Sequence, residues 1–432
     1  RTQGMLTQLE GQENNSGSPF NRGVQHEAKR NAILSRAAKL FNTKGARATT
    51  LSDVANKLGL TKTSLYYYVR TKEDLIFQCY EATLEHAHKT LDDIELSTSA
   101  PLERVLLFME RHCDTILKAL AGKGDYYAAP LEIASLKPDH RTHIEGVYLS
   151  MFMRVRGYLR AGIADGTIQC SHATTTTRAL IGALDWSFYW LYEMPEDEAM
   201  RAVAATRDIV CHGLFESNYD YQPKAHPLTP EAAAAARGFD REAQNRLKQE
   251  AFFKAGTRFF NIKGFNGTSL DQIAEHLQVS KGAFYYHFAN KESLLTQCYE
   301  YSMDQLGAIY TEMMPHSGLG PAKLDAVCRR IFNLQNSELG PMIRYNTITA
   351  LPPPIRRKVL TRTESLNNNL GELIKSGIES ATIRPVNVRV AQNLLMGSIN
   401  ASMDIGTWRR VDDVDAAAID YFEVFYFGLQ KR

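Results

Sequence analysis

The chain has 432 residues, 44% apolar and 23% charged, the make-up of a folded protein of two to four domains rather than a disordered or fibrous one. It holds no apolar run near the ~20 residues that cross a membrane and no basic-then-apolar leader pattern, so a membrane role is not expected. A net charge of +2 conceals an uneven distribution: residues 22–72 hold 11 Lys/Arg against 2 Asp/Glu, residues 241–291 hold 8 against 4, and the remainder is net −11. Two basic segments on an acidic body are the footprint of a protein that meets phosphate in two places.

Residues 1–21 are polar and rich in Gly, Ser, Asn and Gln, which predicts a disordered arm. Ile33, Ala37, Leu40 and Phe41 recur at helical spacing. Thr50-x-x-Asp53 predicts a capped helix whose inner face is Leu51, Val54, Ala55 and Leu58. Thr61 is placed to cap a short second helix anchored by Leu65, and Thr71 a third that starts at Lys72. The same sentence returns 219 positions later. Ser269-x-x-Gln272, Leu270, Ile273, Ala274, Leu277, Ser280, Phe284 and Asn290 take the corresponding places. Further on the offset falls to 215, where Gly162-Ile163 matches Gly377-Ile378 and Gly182 matches Gly397. A period this long signals a duplicated domain. The stretch 219–240, punctuated by Pro223, Pro227 and Pro230, reads as the linker, and Ala232–Ala236 as the start of the next helix.

A short helix braced by another is the helix-turn-helix arrangement, which sets the second helix in the major groove. That helix needs one buried anchor and small or polar groups towards its start, here Thr61 to Ser64 and Ser280 to Ala283. The aromatic words Tyr66-Tyr67-Tyr68 and Tyr285-Tyr286-His287 offer donors for phosphate oxygens. Lys72 and Lys291 open helices where the dipole gives a cation nothing, a placement that a phosphate partner explains.

At these residues the chain resembles the TetR family of transcriptional regulators. Phe284-Tyr-Tyr-His-Phe-Ala-Asn-Lys-Glu-Ser-Leu294 fits the family's word throughout, and Leu65-Tyr-Tyr-Tyr-Val-Arg-Thr-Lys-Glu-Asp-Leu75 fits with Val69 in place of Phe. The resemblance implies an all-α chain of two TetR-like units, each with three helices for DNA and about six for a body. The expected domains are 22–72 and 241–291 for the heads, and 73–218 and 292–432 for the bodies. DNA contacts carried over by position are Thr50, Lys62, Thr63, Ser64, Tyr66, Tyr67, Tyr68 and Lys72, then Ser269, Lys281, Gly282, Tyr285, Tyr286, His287 and Lys291. Two units in one chain depart from the family's usual pairing of separate chains.

In the family the last two helices of each partner form a four-helix interface. The candidates are 174–192 with 197–215, and 386–406 with 413–429; the last, apolar nearly all round, must be buried. Pairing within the chain as a pseudo-dimer is favoured, since a tether raises the effective concentration; a homodimer of chains is the alternative. The heads differ, Lys-Thr-Ser at 62–64 against Lys-Gly-Ala at 281–283, so the expected partner is duplex DNA with two unequal half-sites. The expected effector is small and apolar or aromatic. Candidate pocket residues are Phe108, Tyr126, Tyr127, Met151, Phe152, Trp186, Tyr189 and Trp190, with Met342, Tyr345 and Met396 in the second unit.

Two other readings compete. An enzyme would need a motif the chain lacks: no phosphate loop, nucleophile elbow or HExxH occurs. His140, His143 and Asp139 read as polar residues at a helix start, and six cysteines without a Cys-x-x-Cys pair fit a reducing cytoplasm, so no metal and no cofactor are expected. An interaction scaffold, or a regulator in which only the first head grips DNA, is the remaining alternative.

Overall fold

The computed structural model describes residues 19–221, 223, 241–315 and 318–431. Among these, sixteen α-helices form two sets of eight that follow the repeat. The first set is α1 (Pro19–Lys44), α2 (Leu51–Leu58), α3 (Lys62–Tyr66), α4 (Lys72–Ser97), α5 (Pro101–Leu120), α6 (Pro138–Asp165), α7 (Ala173–Trp190) and α8 (Glu196–His212). The second is α9 (Arg241–Gly267), α10 (Leu270–His276), α11 (Lys281–His287), α12 (Lys291–Met313), α13 (Gly320–Gln335), α14 (Pro353–Glu379), α15 (Val388–Asn400) and α16 (Val414–Phe427). No sheet occurs among the described residues, and none of their helices is long and apolar enough to cross a membrane. The all-α expectation holds.

Three expectations change. Each body has five α-helices rather than about six. Short 3-10 turns, Ile133–Ser135 and Tyr345–Ala350, precede the third helix of each body. The prolines that open α6 and α14 hold the residues before them extended. Helix α1 begins at Pro19, inside the segment expected to be disordered. The rest of that segment, and residues 222 and 224–240 with the Ala232–Ala236 run, lie outside the described residues. Ser269 makes no side-chain cap bond, and Gln272 Oε1 instead accepts from Lys263 Nζ at 3.0 Å.

The other caps form as their chemistry dictates. Thr50 and Asp53 make a reciprocal box, with Asp53 N–H donating to Thr50 Oγ1 at 3.1 Å and Thr50 N–H to Asp53 Oδ2 at 2.8 Å. Thr61, Thr71, Ser280 and Asn290 accept from Ser64, Asp74, Ala283 and Ser293 N–H. The drop in offset is located too: α13 has 16 residues where α5 has 20. Cys79 and Cys298 are buried counterparts, each thiol 3.6 Å from a carbonyl of its head's first helix, Leu34 or Phe253.

Helices α7 and α8 pack on α15 and α16, so the two units meet in a four-helix layer. Glycine makes the closest approach possible. A Cβ on Gly182 would lie 2.4 Å from Ala401 Cβ, and one on Gly397 2.5 Å from Trp186 Cβ. The apolar end of the chain is buried there, through Tyr421, Phe422, Val424, Phe425 and Tyr426. The unit ends clasp each other, with bridges Ile168–Gln430 and Phe215–Ile383 and an Arg384–Asp208 ion pair at 2.9 Å. Nearer the heads, Arg47 pairs with Glu292 and donates to the Ala350 carbonyl at 3.2 Å, while Arg356 donates to the Lys44 carbonyl at 2.6 Å.

Candidate nucleic-acid interface and effector cavity

Helix α3 is fixed by Leu65, buried on its inner side, and by the Thr61 cap. That leaves Lys62, Thr63 and Ser64 exposed on the outer side. Ser64 Oγ lies 2.8 Å from Thr61 Oγ1, so this hydroxyl is engaged within the turn. Helix α11 is built the same way on Phe284, with Lys281 and Gly282 exposed. Tyr67 and Tyr286 are 76% and 87% exposed, far more than an aromatic ring takes without a partner to meet. Tyr66 and Tyr285 are also exposed. Tyr68 is half-buried and stacks on His26 at 4.8 Å, and its counterpart His287 packs 5.3 Å from Phe252. These two read as props of the helix.

Lys72 and Lys291 also act inward, which gives their placement a structural reason beside the phosphate one. Lys72 Nζ donates to the Arg47 carbonyl and Lys291 Nζ to the Phe265 carbonyl, both at 2.9 Å. Each amine ties the end of its head's first helix, or the turn just after it, to the start of the fourth, α4 or α12. Burial, and Arg47 nearby, hold both below the usual lysine pKa.

The heads differ in charge as well as in sequence. In the second, Lys281 Nζ is 2.7 Å from Asp271 Oδ2, and Tyr285 Oη donates to Asp271 Oδ1 at 3.2 Å. In the first, Ser52 occupies the place of Asp271, and Lys62 leans on the Tyr66 ring, 5.8 Å from its centroid.

Inside the first body, α4 to α7 enclose a cavity of about 60 Å³. Apolar side chains such as Leu84, Phe108, Met151 and Phe188 line it. Polar groups converge among them. His86 Nε2 meets Thr115 Oγ1 at 3.1 Å, His112 Nε2 meets Ser187 Oγ at 3.0 Å, and Tyr148 Oη donates to Asp185 Oδ2 at 3.3 Å. Burial pushes His112 down to about 4 and Asp185 up to about 7, so both favour the neutral form. A second cavity, of about 200 Å³, opens between the units. It shares Pro130, Tyr148, Ile181 and Asp185 with the first and adds Arg178 from α7 and Arg344 from the second unit.

Among the links between the heads and these walls is one asparagine on each head's first helix. Asn42 on α1 donates to the Tyr127 carbonyl at 2.8 Å and accepts from Ala129 N–H at 3.0 Å. Asn261 on α9 donates to the Met342 carbonyl at 3.0 Å and accepts from Arg344 N–H at 2.8 Å.

Of the pocket residues expected from sequence, Phe108, Tyr127 and Met151 line the enclosed cavity, and Phe152, Trp186 and Tyr189 line the one between units. Tyr126 instead faces a surface cleft beside α1, beneath Lys39. Trp190 is buried and lines neither, so it is packing. Met342, Tyr345 and Met396 surround only about 30 Å³. Sequence reasoning missed His86, His112, Tyr148, Arg178, Asp185 and Arg344. Asp185 had left a signal: it is the one acidic residue within the otherwise apolar stretch Leu180–Trp190. His140 and His143 are engaged with Glu73 and Glu81, and no metal-holding cluster of three or more His, Cys, Asp or Glu occurs among the described residues.

The model of the bacterial regulatory proteins of the tetR family matches twice, at residues 33–79 and 252–298. The chain belongs to the tetR family. A tetracyclin repressor-like C-terminal domain also matches residues 98–209, within the first body. The HTH-type transcriptional repressor KstR2 of Mycobacterium tuberculosis (strain ATCC 25618 / H37Rv) is 36% identical over 86 residues, 20% of this chain and 43% of that protein. The chain thus spans less than half of that relative. The Tn10 TetC protein of Escherichia coli is 26% identical over 147 residues, 32% of this chain and 69% of that protein. A solved tetR-family regulator, PfmR from Thermus thermophilus, is 27% identical with a TM-score of 0.36, covering 41% of this chain and 95% of its own.

Proposed function

We propose that this chain is a ligand-responsive transcriptional repressor that grips duplex DNA as a pseudo-dimer, with α3 and α11 in successive major grooves. Residues 22–72 and 241–291 are its heads, and 73–218 and 292–432 its bodies. The observation that carries the reading is the pair of capped, basic helices, each presenting a bare tyrosine, on two units that pack together within one chain. Lys62, Thr63, Tyr66, Tyr67, Lys281, Gly282, Tyr285 and Tyr286 supply the contacts, while Thr50, Ser64, Tyr68 and His287 orient the helices. Lysine on phosphate gives affinity that falls with salt. Unequal heads require unequal half-sites about one helical turn apart. An effector at these walls shifts the two loops, 127–129 held by Asn42 and 342–344 held by Asn261, and the heads then lose their spacing.

A second reading has the first head alone binding tightly, because Asp271 neutralises Lys281 and positions 282 and 283 carry no polar side chain. Selection of bound duplexes from a random pool separates the two. An unequal bipartite site bound by one chain supports the pseudo-dimer. A single half-site, or a symmetric site bound by two chains, supports the alternative. No salt-sensitive binding at all removes the regulator reading.

A further inference from the structure

The cavity between the units holds more positive charge than the protein itself answers. Arg178 and Arg344 come from different units and converge on one residue: Arg178 Nη2 donates to the Met403 carbonyl at 3.4 Å, and Arg344 Nε lies 2.6 Å from Met403 Sδ. Arg344 has one carboxylate, Asp404, at 3.0 Å. Arg178 lies over the Trp408 ring at 4.2 Å, and its Nε is buried without a hydrogen-bond partner among the described residues. Burial, and then Arg178, push Arg344 down to about 10. The nearest acid on the opposite wall, Asp185, is pushed by burial up to about 7. Two guanidiniums face Asp404 and an Asp185 whose burial favours its protonated form, so positive charge exceeds negative in a partly buried space, an arrangement that an arriving anion would stabilise.

What adjoins this surplus is apolar. Pro130, Tyr148, Ile181 and Asp185 wall both cavities, so the charged chamber lies directly against the one lined by Phe108, Met151 and Phe188. A ligand spanning the two would carry one anionic end and an apolar or aromatic body. The positions related by the repeat cannot make a second such site: Arg178, Asp185, Tyr148 and Arg344 correspond to Asn393, Asn400, Thr363 and Ala129. We propose that the effector is an apolar or aromatic monocarboxylate, one per chain, whose carboxylate is clamped between Arg178 of the first unit and Arg344 of the second.

This rests on the regulator reading above and deepens it. Bidentate guanidinium–carboxylate pairing is directional and strong. It also explains how a ligand reaches both heads, since Arg344 N–H is bound to Asn261 on α9 while Ala129, on the cavity's other wall, is bound to Asn42 on α1.

The test uses the full chain and matched probes: straight-chain carboxylates from hexanoate to hexadecanoate and phenylalkanoates, each against the alcohol of the same skeleton. Calorimetry and the unfolding midpoint report binding, and release of selected duplex reports response. The expected result is binding of at least one acid at one site per chain, at least 30-fold more tightly than its alcohol. Arg344→Met and Arg178→Met should abolish that discrimination, and Arg344→Lys should retain part of it. Circular dichroism and the unfolding midpoint of each variant verify that it is folded. Equal binding of acid and alcohol, discrimination that survives both methionine variants, two sites per chain, or no acid bound overturns the clamp. Duplex released by a neutral ligand would overturn the clamp and leave the regulator reading standing; a ligand-free chain that ignores duplex overturns the regulator reading itself.

Discussion

Where the first body leaves about 60 Å³, the matching place in the second leaves about 30 Å³. Leu84, Ala87 and Thr90 on α4 correspond to Met303, Leu306 and Ile309 on α12, and Pro130 corresponds to Tyr345. All four replacements are buried, and the Tyr345 hydroxyl bonds to Thr363 where the first unit has Tyr148. The two units share one helix order, so at these positions the difference lies in side-chain volume and polarity. One copy has the packed core that stability asks for, and the other keeps a void with polar walls. A dry void lacks contacts on one side and weakens the fold, so the larger void in the first copy is where the proposed effector would restore contacts.

The comparison can be broken most severely from the filled side. Leu306→Ala should destabilise the chain by about 2–5 kcal/mol, as truncation of a packed leucine does, with the loss read from denaturant unfolding. The same loss from Ala87→Gly would mean that the two walls are equally packed. Filling the first cavity is the converse. Ala87→Leu with Thr90→Ile copies the second unit and should reduce effector affinity by at least about 100-fold, equivalent to about 3 kcal/mol, while duplex affinity without effector stays unchanged.

Acid should sharpen the comparison further. The folded chain holds His112 near 4, so the unfolded chain binds its proton more readily. That contribution is intact above about pH 6.5 and is lost as pH falls towards 4. At pH 5 the loss is about 2 kcal/mol. The matching positions in the second unit, Ile331 at the first offset and Val327 at the second, do not titrate. Comparing the unfolding of the parent and His112→Gln at pH 7.5 and pH 5 isolates the effect: the parent should lose more. Equal losses would show that His112 is already charged in the folded state.

Smaller effects distinguish the heads. Tyr67→Ala and Lys62→Ala should each weaken duplex binding by about 1–2 kcal/mol, and Lys62→Ala should lower the salt slope by about 1. Lys281→Ala should do less, because Asp271 already neutralises that amine. Asp271→Ser, which copies the first head, should strengthen binding. The smallest effect concerns backbone. After the bracing helix the first head has Gly59 at φ 65°, and the second has Gln278 at φ 56°. A left-handed glutamine costs about 1 kcal/mol, so Gln278→Gly should raise the unfolding midpoint slightly.

The helical architecture and the heads were legible because their signals are local. A Thr three residues before Asp53, or an anchor such as Leu65 at fixed distance from a cap, is written within one turn of chain. The props were harder. Lys72 and Lys291 looked outward-facing in sequence, and only the path of the Arg47 and Phe265 carbonyls shows that they face inward. The cavity was legible in its aromatic members and opaque in its polar ones. Arg178 and Arg344 lie 166 positions apart on separate units, and no spacing rule joins them. Trp190 and Tyr126 misled for the opposite reason, since a bulky aromatic side chain looks the same in a sequence whether it lines a void or closes one.

Trp186 and Ala401 correspond to each other, and each faces a glycine across the interface. The tryptophan occupies its side, with its indole N–H donating to Asn393 at 3.2 Å, while the alanine leaves room for the charged chamber. Two identical chains could not do this, since every substitution would appear on both sides. Joining the units in one gene lets mutation act on one side at a time. A cell with such a molecule would read its effector through one binding event per operator, and its transcription would follow effector concentration as a graded dial rather than a cooperative threshold.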